Sequence, residues 1–230
     1  MADPKQKFFD KRAQVVLKNL ESRNFEAYYC TVKASALQKA LELIPEGSVV
    51  GWGGAISAQQ IGLLDAMNAG NYNAIDRDKT TTPEERNQAM RDCLNTDFFI
   101  TGANAISMDG QMVNIDGTGN RVGAIIYGPK KVIVIAGMNK VCDTLEEAVK
   151  RAREVAAPLN MMRFMKDTPC AATGKCGDCK AEGCICNQIV ITRHCRPVGR
   201  IQFVLVGEQL GLQSLLMKGV TILLVLFYLR

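Results

Sequence analysis

The chain reads as an α/β protein built on a mostly parallel sheet with helices on both faces. Three observations predict this. Runs of continuous apolar character alternate with longer amphipathic stretches, the cadence of strands buried on two sides and joined by crossover helices. Glycines gather where the apolar runs stop, in GWGGAIS, ITGANAISMDG and IDGTGNRVGA. A length of 230 residues, 47% of them hydrophobic, suffices for one substantial core.

Each element follows from its own pattern. KQKFFDKRAQVVLKNLES spaces its apolar residues for an amphipathic helix. EAYYCTV is a short strand, and SALQKALELI is a helix closed by Pro45 and Gly47. SVVGWGG is a buried strand that runs into glycines, followed by the helix AQQIGLLDAM with Ser57 placed to cap it. PEERNQAMRDCLN continues as a helix, DFFITG as a strand, NAISMDG as a turn-rich stretch and QMVNI as a strand. GTGNRVGAIIYG leads to the strand KVIVIAG and the long helix TLEEAVKRAREVAAPLN. After a cysteine-rich stretch, QIVITRH and RIQFVLVGEQ are two further strands. The expected organisation is an α/β core over 1–165, a cysteine-rich segment with terminal strands of the same domain over 166–211, and an atypical apolar tail over 212–230.

Six of the nine cysteines fall between Cys170 and Cys195. Cys176 and Cys179 form a C-x-x-C step, Cys184 and Cys186 lie one residue apart, and Cys170 and Cys195 flank them. Gly174, Gly177 and Gly183 allow turns that aim several sulfurs at one centre. Lys175, Lys180, Arg193 and Arg196 favour thiolates, the form that binds metal. The expected ligands are Cys176, Cys179, Cys184 and Cys186, with Cys170 or Cys195 as replacements, for a 4Fe–4S cluster or zinc. The spacing fits no single zinc or ferredoxin template, and redox-active thiols or disulfides are the competing reading. Cys30, Cys93 and Cys142 sit among apolar neighbours and read as small buried hydrophobes.

Charge narrows the function classes. The formal net charge is +5, but the surplus is concentrated in 161–200, with seven Lys or Arg against three Asp or Glu. A broad basic face with interleaved aromatics is missing, so nucleic acid is not an expected partner. The single histidine, His194, excludes a multi-histidine metal site. MADPKQKFF carries charge where the apolar core of a secretory signal would begin, so a cytoplasmic setting with reduced thiols is expected. The terminal apolar run of GVTILLVLFYLR, about ten residues, falls short of the roughly 20 needed to span a bilayer. No membrane role is expected.

In an open parallel sheet, ligands bind beyond the carboxyl ends of the strands, where the glycine-rich loops fall. Backbone N–H groups there can cradle an anion. Arg121 adds a cationic fork, and Asn104, Asn114 and Asn120 add neutral donors and acceptors. The candidate substrate-binding set is Gly53, Gly54, Asn104, Asn114, Gly117, Gly119, Asn120 and Arg121. Asp109 is the candidate acid/base, although an Asp-Gly step also favours a plain tight turn. GTGNRVG is neither a Walker loop nor a dinucleotide fingerprint.

These segments carry a resemblance. VVGWGGAIS…IGLLDAM, ITGANAISMDGQMVNIDGTGNRVGAIIYGPKKVIVIAGMNKV and CAATGKCGDC…CICNQIVITRHCRPVGRIQFVLVGEQLG together resemble the LUD-domain family, the lactate-utilisation proteins. The chain is most similar to stand-alone bacterial members with a C-terminal cysteine motif, over nearly all of 5–211. The resemblance implies the fold shared by ribose-5-phosphate isomerase, glucosamine-6-phosphate deaminase and CoA transferases. It also implies association with the oxidation of L-lactate to pyruvate beside iron–sulfur partner subunits. Gln59 and Gln60 stand where family members often carry a glutamate, so a carboxylate nucleophile is not expected.

The leading expectation is thus a protein that binds a small anionic metabolite, lactate or a related hydroxy acid, and takes part in its oxidation. An isomerase or CoA/acyl transferase on a phosphorylated or thioester substrate is the second reading. A non-enzymatic metal- or redox-sensing regulator is the third. Whether the chain assembles as a homo-oligomer is left open by the sequence.

Overall fold

A computed structural model describes residues 3–164 and 167–212. Apart from Leu212, the apolar tail expected over 212–230 lies outside the described residues. Helix α1 (Pro4–Glu21) starts where the Asp3 side chain accepts from the Lys5 amide at 3.1 Å, and it buries Phe9, Ala13, Val16 and Leu20. That spacing is the single apolar stripe read from the sequence. Next come β1 (Glu26–Cys30), α2 (Lys33–Leu43) and β2 (Val49–Gly53). The helix expected after β2 is two helices, α3 (Ile56–Gln60) and α4 (Leu63–Ala69). Gly62 breaks it, adopting φ +83° at the start of α4.

The chain then forms β3 (Asn73–Ile75), a 3-10 turn at Arg77–Lys79, and α5 (Pro83–Asp92). Thr82 and Glu85 close a reciprocal capping box on α5. After β4 (Phe98–Gly102), the turn-rich stretch holds a short strand, β5 (Ala105–Ser107), before β6 (Met112–Asp116). GTGNRVGAIIYG contains helix α6 (Asn120–Ile126), which leads to β7 (Lys131–Gly137) and β8 (Val141–Cys142). The long helix is α7 (Leu145–Arg151) joined through a π-turn at Ala152–Ala156 to α8 (Ala157–Phe164). A short α9 (Pro169–Thr173), then β9 (Gln188–Thr192) and β10 (Ile201–Val206), complete the described chain.

Six strands form a fully parallel sheet in the order β1-β10-β7-β4-β2-β3. Its central strands are mostly apolar because both faces are covered. Val132, Val134, Phe99, Phe203 and Leu205 pack with α1 and α6 on one face. Ile133, Ile135, Ile100, Val204 and Val206 pack with α2, α3 and α4 on the other. The strand QIVITRH does not join this sheet. As β9 it pairs antiparallel with β6 in a separate four-stranded sheet, β8-β5-β6-β9. Its alternating half-buried and exposed residues mark an edge strand with one open side. Among the described residues, no helix is long and apolar enough to cross a membrane.

Candidate functional site

The carboxyl ends of the parallel strands open into a cavity of about 460 Å3, a size that holds a metabolite or small cofactor. Gly54 follows β2, Ala103 and Asn104 follow β4, Lys140 follows β7, and Leu210 and Gly211 follow β10. α6 contributes Asn120 and Arg121, α7 contributes Arg151, and α8 contributes Asn160 and Arg163. Arg77 and Arg86 complete the charged lining. Among the described residues, six cationic side chains line the space, and Asp116 is the one acidic residue lining it. The Asp116 carboxylate accepts from the Gly117 and Val122 amides, each at 3.0 Å, so it is engaged with backbone.

Arg121 is held from one side. Its Nη2 donates to Asn104 Oδ1 at 3.2 Å and to the Ile115 carbonyl. Burial lowers its pKa, Asp116 opposes that shift, and Arg77 adds to it, but an arginine remains charged. Gly54 is required directly beneath: a Cβ there would stand 2.6 Å from Arg121 Nη1, and the residue adopts φ +60°. Glycine at this position lets the backbone lie flat against the guanidinium. Asn104 positions both flanking arginines, since its carbonyl accepts from Arg151 while its side chain accepts from Arg121.

Lys140 is the residue that sequence reading missed. It is 8% exposed, and its Nζ donates to Ser57 Oγ at 2.8 Å. It takes part in no ion pair with a described acidic residue. Burial pushes its pKa down to about 7, and the charges of Arg151 and Arg121 push the same way. An ammonium there has lost its water without gaining a counter-ion, and neutralisation relieves that cost. Ser57 is not the helix cap expected, since Ala55 occupies that position. Its buried hydroxyl faces Lys140 instead. The signal in the sequence is faint: a lysine a few residues beyond the apolar strand KVIVIAG.

The expected site residues divide into three groups. Gly54, Asn104, Gly117, Asn120 and Arg121 line the cavity together. Gly53, Asn114 and Gly119 support it from behind. A Cβ on Gly53 would press on Phe99 at 3.1 Å, and Gly119 starts α6 at φ +83°. Asn114 is buried and donates to the Gly102 carbonyl at 3.1 Å, with its Oδ1 unpartnered. Asp109 stands apart, in the β5–β6 turn. It accepts from Arg23 at 2.7 Å and from Gln111 at 2.9 Å, and it also bonds Ser107. Burial works to raise its pKa, but hydrogen bonds from Ser107 and Gln111 and the charge of Arg23 outweigh it and hold the carboxylate low. A carboxylate so engaged ties the turn to α1.

The cysteines do not all converge. Burial and Cys184 together push Cys186 up to about 12, with Cys176 and Cys170 contributing further. Nearby lysines therefore do not make Cys186 a thiolate as the sequence led us to expect. Cys195 is elsewhere, beyond the far end of β9. Its Sγ contacts the Pro197 carbonyl at 3.1 Å and accepts from the Ile201 amide at 3.3 Å. About 13 Å of strand, at roughly 3.3 Å per residue, separates it from the others. All nine cysteines are free thiols, with Cys30 and Cys93 buried and Cys142 partly so. Among the described residues, no three His, Cys, Asp or Glu side chains are grouped closely enough to hold a metal ion. The loop nonetheless forms a wall of the cavity, because Ile185 lines it and rests on Gly117.

Comparison with known proteins adds a family. The family model described as the LUD domain matches residues 13–206. Among solved structures, the chain is similar to a DUF162 family protein from Deinococcus radiodurans, 13% identical over 87% of this chain and 97% of that one, with a TM-score of 0.49. It is similar over a shorter span to ribose 5 phosphate isomerase A from Neisseria gonorrhoeae, 20% identical over 49% of this chain and 54% of that one, with a TM-score of 0.32. No curated protein matches.

Proposed function

Because the chain belongs to the LUD-domain family, which supports a role associated with lactate utilisation, we propose that it binds a short hydroxy- or oxo-acid anion in this cavity and serves in its oxidation. The observation that carries the reading is six cations against one engaged carboxylate around an enclosed space of about 460 Å3. Lys140 is buried with no ion pair to a described acidic residue, and Arg121 turns an unused edge toward the cavity; such positive charge is costly in a folded protein, and an anionic ligand offsets that cost. The Nη1 edge of Arg121, which donates to no described protein acceptor, is the natural partner of the carboxylate. Titration calorimetry with lactate, pyruvate and phosphate tests this. Saturable binding of one of the acids, weakened in Arg121→Ala, supports it, and no binding of any anion overturns it.

The same surplus favours a second reading. Six cations exceed what one carboxylate needs, so a phosphorylated or CoA-linked substrate, as in an isomerase or acyl transferase, also fits. Phosphate or CoA binding much more tightly than lactate in that titration would select it.

For the cysteine loop we propose Cys176, Cys179, Cys184 and Cys186, with Cys170 as a replacement, as ligands of a 4Fe–4S cluster or zinc, because a C-x-x-C step and a C-x-C step share one short segment. The group would supply electron transfer or a structural clamp beside the cavity wall. The protein purified without oxygen should carry stoichiometric metal, lost in Cys176→Ser/Cys186→Ser but retained in Cys195→Ser. Metal-free protein with all these thiols titrating freely would exclude the assignment. Iron–sulfur subunits are the partner class this reading implies.

A further inference from the structure

Lys140 and Ser57 form a pair that anion binding alone does not require. A cation meant only to hold a carboxylate works best when permanently charged, as the surrounding arginines are. Lys140 instead sits fully enclosed at the end of β7, with Gly102 and Gly211 packed closely around its Nζ and Cε. Among the described residues, its Nζ donates to the Ser57 hydroxyl, 2.8 Å away.

Resting on the anion-site reading above, we propose that Lys140 is a nucleophilic amine that condenses with the carbonyl of a short 2-oxo acid to form an imine. Arg121 Nη1 lies against Gly54, whose carbonyl is beside Gly102, the glycine that Lys140 Nζ also approaches. A carboxylate paired with the free edge of Arg121 in the shared cavity therefore places its neighbouring carbonyl carbon on the side of the amine. The Nζ lone pair forms the N–C bond while the carbonyl π pair moves to oxygen. Ser57 passes a proton from the attacking nitrogen to that oxygen. With one further proton from solvent, the oxygen leaves as water and the protonated imine remains. No electrons are gained or lost. The amine is available for this at neutral pH because burial and the guanidinium groups of Arg151 and Arg121 hold Lys140 at about 7, where roughly half the population is neutral.

The test is reductive trapping. The full-length protein is incubated with pyruvate and cyanoborohydride near pH 7.5, then analysed by intact mass and peptide mapping. The expected result is one added 2-oxo acid per chain, mapped to Lys140, absent with lactate and absent in both Lys140→Arg and Lys140→Met. Ser57→Ala should bind pyruvate comparably but trap it at least several-fold more slowly. Calorimetry without reductant is run in parallel on each protein. Pyruvate binding with no adduct at Lys140 overturns the imine and leaves the anion site standing. Adducts spread evenly over surface lysines also overturn it. Absence of both binding and adduct removes the anion site as well.

Discussion

The two ends of α6 each meet an arginine, Arg200 buried and Arg121 half-buried, and the two are used in opposite ways. At the last turn, Arg200 donates to the carbonyls of Ala124 at 2.8 Å, Ile125 at 2.7 Å and Pro129 at 3.1 Å. All three nitrogens of its guanidinium are engaged with backbone that the helix end would otherwise leave unpaired. At the first turn, Arg121 bonds protein through Nη2 alone and turns its other edge toward the cavity. Burial lowers both pKa values, so burial does not separate them. Saturation does. An arginine whose donors are all taken by protein is part of the fold, and one with donors left over is available to a ligand.

That contrast can be broken by experiment. Arg200→Ala leaves three carbonyls without their charged donor and should destabilise the protein by on the order of 3 kcal/mol, read from chemical denaturation, with anion affinity largely retained. Arg121→Ala should do the reverse, weakening anion binding by about 1.5–3 kcal/mol in calorimetry while the melting temperature changes little. If both variants lose stability and affinity equally, the distinction is void.

Lys140 sharpens the comparison through pH. Its folded-state pKa is lowered to about 7, so the cavity holds one more positive charge below pH 7 than above it. Anion affinity should therefore fall by up to about tenfold, the equivalent of ~1.4 kcal/mol, between pH 6 and pH 8. Arg121 and Arg151 keep their charge over that range, and Lys140→Met should flatten the profile. The smallest effect is expected at Asp109. Its pKa is lowered, so its contribution is present at neutral pH and fades as acid protonates it. Half-exposed pairs of this kind contribute little. Asp109→Asn should cost less than about 1 kcal/mol and leave ligand binding unchanged; a large loss of binding would return Asp109 to the site.

The comparison also explains what could be read from the sequence. The parallel sheet was legible because strands buried on both faces are mostly apolar, as VIVIAG and the FVLV of β10 are. The glycine-rich loops were legible because close backbone approach and positive φ demand glycine, as Gly54 beneath Arg121 shows. α6 was not read as a helix because its sequence opens with Gly and Asn, and QIVITRH revealed a strand without revealing its sheet. Lys140 and Ser57 were missed because their meaning lies in a contact across 83 residues, which no local pattern encodes. Cys195 resembled its neighbours in sequence and separated from them only when β9 was interposed.

One feature of the sheet bears on how the chain reaches this state. In the six-stranded sheet, β1 pairs with β10 and with no other described strand, and Glu26 bonds Gln202 across 176 residues. β1 therefore waits for β10, the last described strand, before it gains a neighbour in this sheet, and β10 must enter between two elements already made. Contacts of such long sequence separation slow folding and leave apolar edges uncovered meanwhile. Leu210 and Gly211, which close one side of the cavity, follow immediately after β10. A ribosome-bound chain stopped between α8 and β10 would thus carry the cavity's arginines and Lys140 but no enclosed space to put them around, so ligand binding itself reports that synthesis has passed that strand.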